Sequence, residues 1–138
     1  MKDISPEKRR LKELRFTVYV TPQGYIIHDS KKKVVAKNSS SSTSDEYESI
    51  LRHTIDALQQ VQGKNDPKDL AHVKIIVTSD NIYINNIIKE WLQQWKYDQY
   101  ANRPHQSLLQ QLYAQTQILN VDSLRVNIEE CSYLQLIK

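Results

Sequence analysis

A change of rhythm along the chain limits its fold more than any other feature. Branched and aromatic residues alternate in Phe16-Thr-Val-Tyr-Val-Thr21, the pattern of a half-buried strand. Pro22-Gln23-Gly24 supplies turn chemistry, Tyr25-Ile-Ile-His28 opens a second strand, and Asp29-Ser30-Lys31 turns again into Lys33-Val-Val-Ala-Lys37. These pieces predict an antiparallel meander, followed by a serine-rich loop over residues 38–42. The period then lengthens: Tyr47, Leu51, Ile55, Leu58 and Val61 recur at helical spacing up to Gly63. Thr43 with Glu46, and Asp45 with Glu48, both fit the capping-box spacing at the start of that helix.

Residues 64–69 form a polar connection, and His72-Val-Lys-Ile-Ile-Val-Thr78 is an apolar run suited to a strand covered on both faces. Ile82, Tyr83, Ile84, Ile87, Ile88, Trp91, Leu92 and Trp95 make so broad an apolar arc that a largely buried helix is expected over residues 81–95. Residues 96–105 break the pattern and include Pro104, after which Leu108, Leu109, Leu112, Tyr113 and Thr116 restore helical spacing. Leu124-Arg-Val-Asn-Ile-Glu-Glu130 alternates again and predicts the last strand. Strands, helix, strand, helices, strand is the order of an α/β domain, a mixed sheet flanked by helices.

Composition narrows the chemistry. The 138 residues suffice for one core, and no apolar run approaches the ~18 residues of a membrane span. The amino terminus has no signal-peptide stretch, so a cytoplasmic or nuclear location is expected rather than secretion. One cysteine, Cys131, excludes an intrachain disulfide and a multi-cysteine zinc site. Two glycines, Gly24 and Gly63, leave nothing for a phosphate-cradling loop. A net charge of +3 leans only mildly toward anionic partners.

The leader over residues 1–15 is dense in charge, and in it Lys8, Arg9, Arg10 and Lys12 follow a Ser5-Pro6 helix-start signal. It reads as a nucleic-acid arm or, more commonly for such segments, as a solvated lead-in to the domain over residues 16–138. His28, His53, His72 and His105 are scattered, without metal-ligand spacing.

Several local motifs resemble ribonuclease H. Ser79-Asp80-Asn81-Ile82-Tyr83-Ile84 is similar to the family's Thr-Asp-Ser-x-Tyr-Val at the end of its fourth strand. Trp91 and Trp95-Lys96 follow at the family's tryptophan spacing. Pro104 and Leu108-Leu-Gln-Gln-Leu112 resemble its proline and following helix, and Thr43-Ser-Asp-Glu-Tyr-Glu48 resembles the opening of its first helix. The likeness runs from about Phe16 to Glu130. It implies a mixed five-stranded sheet, with three antiparallel strands, then helix, strand, helices and strand, and with the family's final helix missing.

The family hydrolyses RNA in RNA–DNA hybrids with two divalent ions held by a carboxylate cluster. In-line attack on a phosphodiester needs an activated water and a second ion on the leaving oxygen, and each hard cation needs several oxygens. Of the acids the resemblance calls for, Glu48 and Asp80 match. None lies between Arg15 and His28, where the first strand should supply one, and residues 131–137 look too short for the last. Two carboxylates would hold magnesium weakly and would not hold an ion pair for catalysis. Period two places Glu130 on a face with Leu124, Val126 and Ile128, so it is the candidate surrogate ligand.

The resulting expectation is a degenerate ribonuclease-H-like domain resembling the connection subdomain of reverse transcriptases, used for docking a protein partner or a second copy. Contacts are expected at Trp95, Lys96, Tyr97, Tyr100 and Arg103 and at the basic leader, where aromatics interleave with cations. Two alternatives stand beside it: non-specific binding of RNA or hybrid, and a metal-dependent ribonuclease with a rearranged site.

Overall fold

The computed structural model describes residues 14–39 and 45–137. The leader contacts Lys8, Arg9, Arg10 and Lys12, and Thr43 of the first capping box, lie outside the described residues. Strands β1 (Leu14–Thr21), β2 (Gly24–Asp29) and β3 (Val34–Ser39) form the meander. β4 (Val73–Ser79) and β5 (Asn120–Arg125) complete a five-stranded sheet in the order β3-β2-β1-β4-β5. β1 pairs antiparallel with β2 and parallel with β4, and β5 runs parallel to β4. β1 begins at Leu14, inside the span assigned to the leader.

Helix α1 (Glu46–Gly63) covers one face of the sheet. Its start is the expected cap: the Glu48 backbone N–H donates to Asp45 Oδ1 at 3.1 Å, satisfying one of the orphan amides of the first turn. Ile50, Leu51, Ile55, Leu58 and Val61 point inward and meet Val18, Val20, Tyr25, Ile27, Val73, Ile75 and Val77 in one core. The inward strand residues alternate with outward ones such as Tyr19 and Ile26, as the pleat requires.

The expected helix over residues 81–95 is not continuous. Helix α2 (Ile82–Asn86) passes into a π turn (Ile87–Trp91) and then α3 (Leu92–Trp95). The Leu92 N–H bonds back to the Ile87 carbonyl, five residues earlier, so the inward step after Ile87 falls on Leu92. An unbroken α-helix would have aimed Trp91 inward. With the π turn, Leu92 is buried while Trp91 stays partly exposed. Helix α4 (Gln106–Ile118) packs on α1 and buries Leu108, Leu109 and Leu112.

Two expectations about the carboxyl-terminal part are corrected. The last strand is Asn120–Arg125, not residues 124–130. β5 is an edge strand whose Leu124 is 50% exposed, so the Leu124–Val126–Ile128 alternation marks no buried face. The early end of β5 leaves room for a helix where none was expected. Asn127 caps a 3-10 turn (Ile128–Glu130), accepting from the Glu129 N–H at 3.0 Å, and helix α5 (Ser132–Ile137) follows. Leu134 and Ile137 are buried, and α5 packs against β1 and β2, where the Tyr133 ring stacks on Tyr19 at 4.7 Å between centroids.

Candidate functional site

The parallel register pairs Tyr19 with Thr78, so Thr21 at the end of β1 lies level with Asp80, which follows β4. Thr21 is 2% exposed, and its Oγ1 accepts the Gln23 backbone N–H at 3.0 Å. Around it the strand ends are tied by neutral groups. Ser79 Oγ donates to the Val20 carbonyl across the β4–β1 seam at 2.8 Å. Asn85 Nδ2 donates to the carbonyls of Ser79 and Asn81 at 3.3 and 2.7 Å, and Ser123 Oγ donates to Asn85 Oδ1. Buried polar groups this well paired fix the sheet end as a rigid, uncharged network.

Asp80 sits at the rim of that network. Its backbone carbonyl accepts from Arg125 Nε at 3.4 Å, and the residue shares a surface depression of about 450 Å³ with Arg125, Val126 and Asn127. The cap of the helix that follows is Asn81: its Oδ1 accepts the Ile84 N–H at 3.1 Å. Glu130 lies in the 3-10 turn and is exposed, so the strand-face placement that made it a surrogate ligand is corrected.

Glu48 belongs to a different grouping. Arg52 Nε donates to its Oε2 at 2.7 Å, and its Oε1 is 3.8 Å from His105 Nδ1. His105 Nε2 is 2.6 Å from Asp45 Oδ2. Among the described residues, Asp45, Glu48 and His105 are the group of histidine and acid side chains whose donor atoms come close enough to share a cation, all within 4.8 Å. The Asp45 carboxyl is held below its ordinary range, first by the Glu48 backbone N–H and next by the hydrogen bond to His105. Sequence spacing could not reveal this trio, because His105 is 60 positions from Asp45 and arrives only when the starts of α4 and α1 meet. The legible half was the Asp45-x-x-Glu48 cap.

Of the expected contact residues, Tyr97 is 86% exposed and Lys96 Nζ lies 5.5 Å from its ring centre. The Arg103 guanidinium lies over the Trp95 ring at 4.4 Å, a cation–π geometry, and Trp95 stacks on Trp91 at 5.1 Å. Tyr100 is corrected: it is 3% exposed, and its hydroxyl donates to the Leu92 carbonyl at 3.1 Å, with burial pushing the phenol up to about 12. It is a core residue and not a contact. In its place the surface recruits Tyr47, Tyr83 and Pro104, which with Trp91 and Trp95 line an apolar groove of about 330 Å³. The rings of Tyr47, Tyr83, Trp91 and Trp95 follow one another at 6.4, 6.4 and 5.1 Å.

The strand order, the parallel β1–β4–β5 half and the helices on the sheet define the ribonuclease H-like fold. Solved structures agree. The chain superposes on the prototype foamy virus protease–reverse transcriptase with a TM-score of 0.68 at 11% identity, over 97% of this chain and 20% of that one. It superposes on LC11-RNase H1, isolated from compost by a metagenomic approach, with a TM-score of 0.62 at 13% identity, over 91% and 92% of the two chains. The foamy viral protease–reverse transcriptase in complex with an RNA/DNA hybrid gives 0.62 at 10% identity, over 99% of this chain and 20% of that chain. The chain thus spans about a fifth of the length of these viral proteins. No family model and no curated protein matches the sequence.

Proposed function

We propose that this domain binds rather than cuts, using a ribonuclease H-like scaffold without a working pair of metal ions. The observation that carries the reading is the sheet end beside Asp80. A buried threonine stands there on β1, and a neutral Ser79–Asn85–Ser123 network fills the space around it. Two hard cations close together need a carboxylate between them, and hydroxyl and amide groups do not offset their charge.

The binding surface is the aromatic groove and its rim, Trp95, Lys96, Tyr97 and Arg103, and the partner is a protein, a second copy included. An apolar aromatic groove with two exposed tyrosines, Tyr83 and Tyr97, and a stacked arginine has the composition of an interface core. β3 and β5 at the sheet edges offer backbone pairing as well. Among the described residues no helix is long and apolar enough to cross a membrane.

A second reading, contact with RNA or a hybrid, is favoured by the foamy viral relative solved with an RNA/DNA hybrid and by Lys96 and Arg103 flanking stackable rings.

A labelled hybrid incubated with magnesium or manganese tests the first claim. No cleavage above background is expected from wild type or from Asp80→Asn, and metal-dependent cleavage lost in Asp80→Asn overturns it. Titration of the same hybrid at two salt concentrations separates the two partners. With Lys96 and Arg103 as the phosphate contacts, log affinity should fall with log salt at a slope of about −2 if nucleic acid is bound. No binding at low salt, with a dimer seen by sedimentation, supports the protein interface.

A further inference from the structure

Donor atoms of three kinds of side chain meet where α1 and α4 begin. We propose that Asp45, Glu48 and His105 form a binding site for a single transition-metal ion, zinc by the chemistry of the set. An imidazole nitrogen with two carboxylates suits zinc, whereas magnesium prefers an all-oxygen shell that retains water. Three protein ligands leave one position of a tetrahedral ion open to water or a ligand.

The donor atoms already lie within 4.8 Å of one another. His105 turns Nε2 to Asp45 at 2.6 Å and Nδ1 toward Glu48 at 3.8 Å, and one ion takes one imidazole nitrogen, so Glu48 or the ring must rotate to reach zinc ligation at about 2.0–2.2 Å. Asp45 and Glu48 are held in phase by the helix cap between them, and His105 is fixed at the N-cap position of α4. Two existing contacts must yield. Arg52 leaves Glu48, an exposed pair of the kind that contributes little, and the His105–Asp45 hydrogen bond opens, the ligating imidazole keeping its N–H on the other ring nitrogen.

The surroundings add an independent reason. Tyr47 lies 5.6 Å from the His105 ring and also walls the apolar groove, as does Pro104 next to His105. One flank of the site is therefore apolar, and water reaches it from the side of Asp45, whose side chain is 45% exposed. Of the acids the resemblance calls for, Glu48 is in the set and Asp80 is not, so the site shares one residue with that carboxylate cluster and draws Asp45 and His105 from outside it. It does not depend on whether the domain docks a protein or a nucleic acid.

Calorimetric titration of the full chain with zinc chloride, and cobalt(II) as an absorbing stand-in, test the proposal. One ion per chain and a visible tetrahedral cobalt band are expected. His105→Gln and Glu48→Gln should each weaken binding by about tenfold or more, with unchanged circular dichroism. The amide introduced by His105→Gln can keep the hydrogen bond to Asp45, so a purely structural latch would leave zinc binding unaltered. Should a variant not fold, nitrogen-15 spectra of the wild-type imidazoles decide: zinc must shift His105 and leave His28, His53 and His72 in place. No binding, equal affinity in the folded variants, or a shift at another histidine overturns the assignment.

Discussion

Two tyrosines in one loop separate what holds the fold from what is free to bind. Tyr100 is 3% exposed within the main core, and its hydroxyl donates to the Leu92 carbonyl, whereas Tyr97, three residues earlier, is 86% exposed. Tyr100→Phe keeps the ring and loses one hydrogen bond to a backbone acceptor, a net cost of about 1 kcal/mol. Tyr100→Ala removes a buried aromatic ring that closes α3 against α4, for which about 3–5 kcal/mol is expected. Tyr97→Ala should change stability by no more than about 0.5 kcal/mol. Urea unfolding followed by circular dichroism measures all of these. In a domain of this size each 1 kcal/mol also moves the melting temperature by about 2–4 °C. The same proteins assayed for self-association should show the reverse ranking, with Tyr97→Ala impaired and Tyr100→Phe intact. A Tyr97→Ala loss above about 1 kcal/mol, or a Tyr100→Ala loss below it, refutes the division of this loop into core and surface.

Three further outcomes follow from named contacts. Burial holds the His53 imidazole below its ordinary value of 6.5, with Asp56 opposing, so in the window below 6.5 the unfolded chain binds more protons than the native one. Acidification from about pH 7.5 to about 5.5 should lower the urea midpoint, and His53→Gln should flatten that slope; an unchanged slope contradicts it. Asn85→Ala strips partners from the Ser79 and Asn81 carbonyls and from the Ser123 hydroxyl, at a cost of about 2–4 kcal/mol read from the same unfolding curves. A loss under about 1 kcal/mol would mean the network is not tight. At Gly24, φ is +157° and a Cβ would collide with the Asn38 carbonyl on β3, so Gly24→Ala should cost about 1–3 kcal/mol and slow amide exchange should be lost first in β3. Full retention of β3 protection would refute that.

Phe16–Thr21 is legible because its inward residues meet α1 and the core, so the pleat is printed in the residue types, and the 72–78 run is legible because no residue of β4 is exposed on either face. Glu48 and Asp80 could be located from local motifs, and the absence of an acid on β1 needed only inspection. β5 misled because its exposed Leu124 breaks the link between hydrophobicity and inward direction. Helix α5 is hidden in the sequence because the alternation over residues 124–130 disguises the end of β5 at Arg125. The π turn left no readable mark, since Trp91 and Leu92 are both apolar and only packing decides which turns inward.

The loop over residues 96–105 was opaque for a different reason. It contains no glycine, yet Gln99, Tyr100, Asn102 and His105 all adopt positive φ, between 56° and 65°. Each such residue outside glycine costs about 1–2 kcal/mol of local strain, and the surrounding contacts must offset it. Here the compensation is visible: Tyr100 enters the core, and Gln106 and Gln110 side chains donate to the Gln99 carbonyl at 2.7 and 3.3 Å. The strained turns reverse the chain often enough to send neighbouring residues in opposite directions. Tyr100 goes inward, Tyr97 outward, Arg103 across Trp95, and His105 toward Asp45. A glycine-rich loop could follow the same path with less strain but would spend more entropy holding it. Side chains that both lock the turns and face the groove tie the stability of this loop to the shape of the surface it presents. Asn102→Gly should therefore relieve strain at its own position while leaving the Arg103–Trp95 contact in place, because the Arg103 backbone N–H donates to the carbonyl of the buried Tyr100 at 3.2 Å. Urea unfolding should show no loss of stability for this variant, and tryptophan fluorescence should match wild type; a shifted emission maximum would place the control of that contact in the Asn102 turn itself.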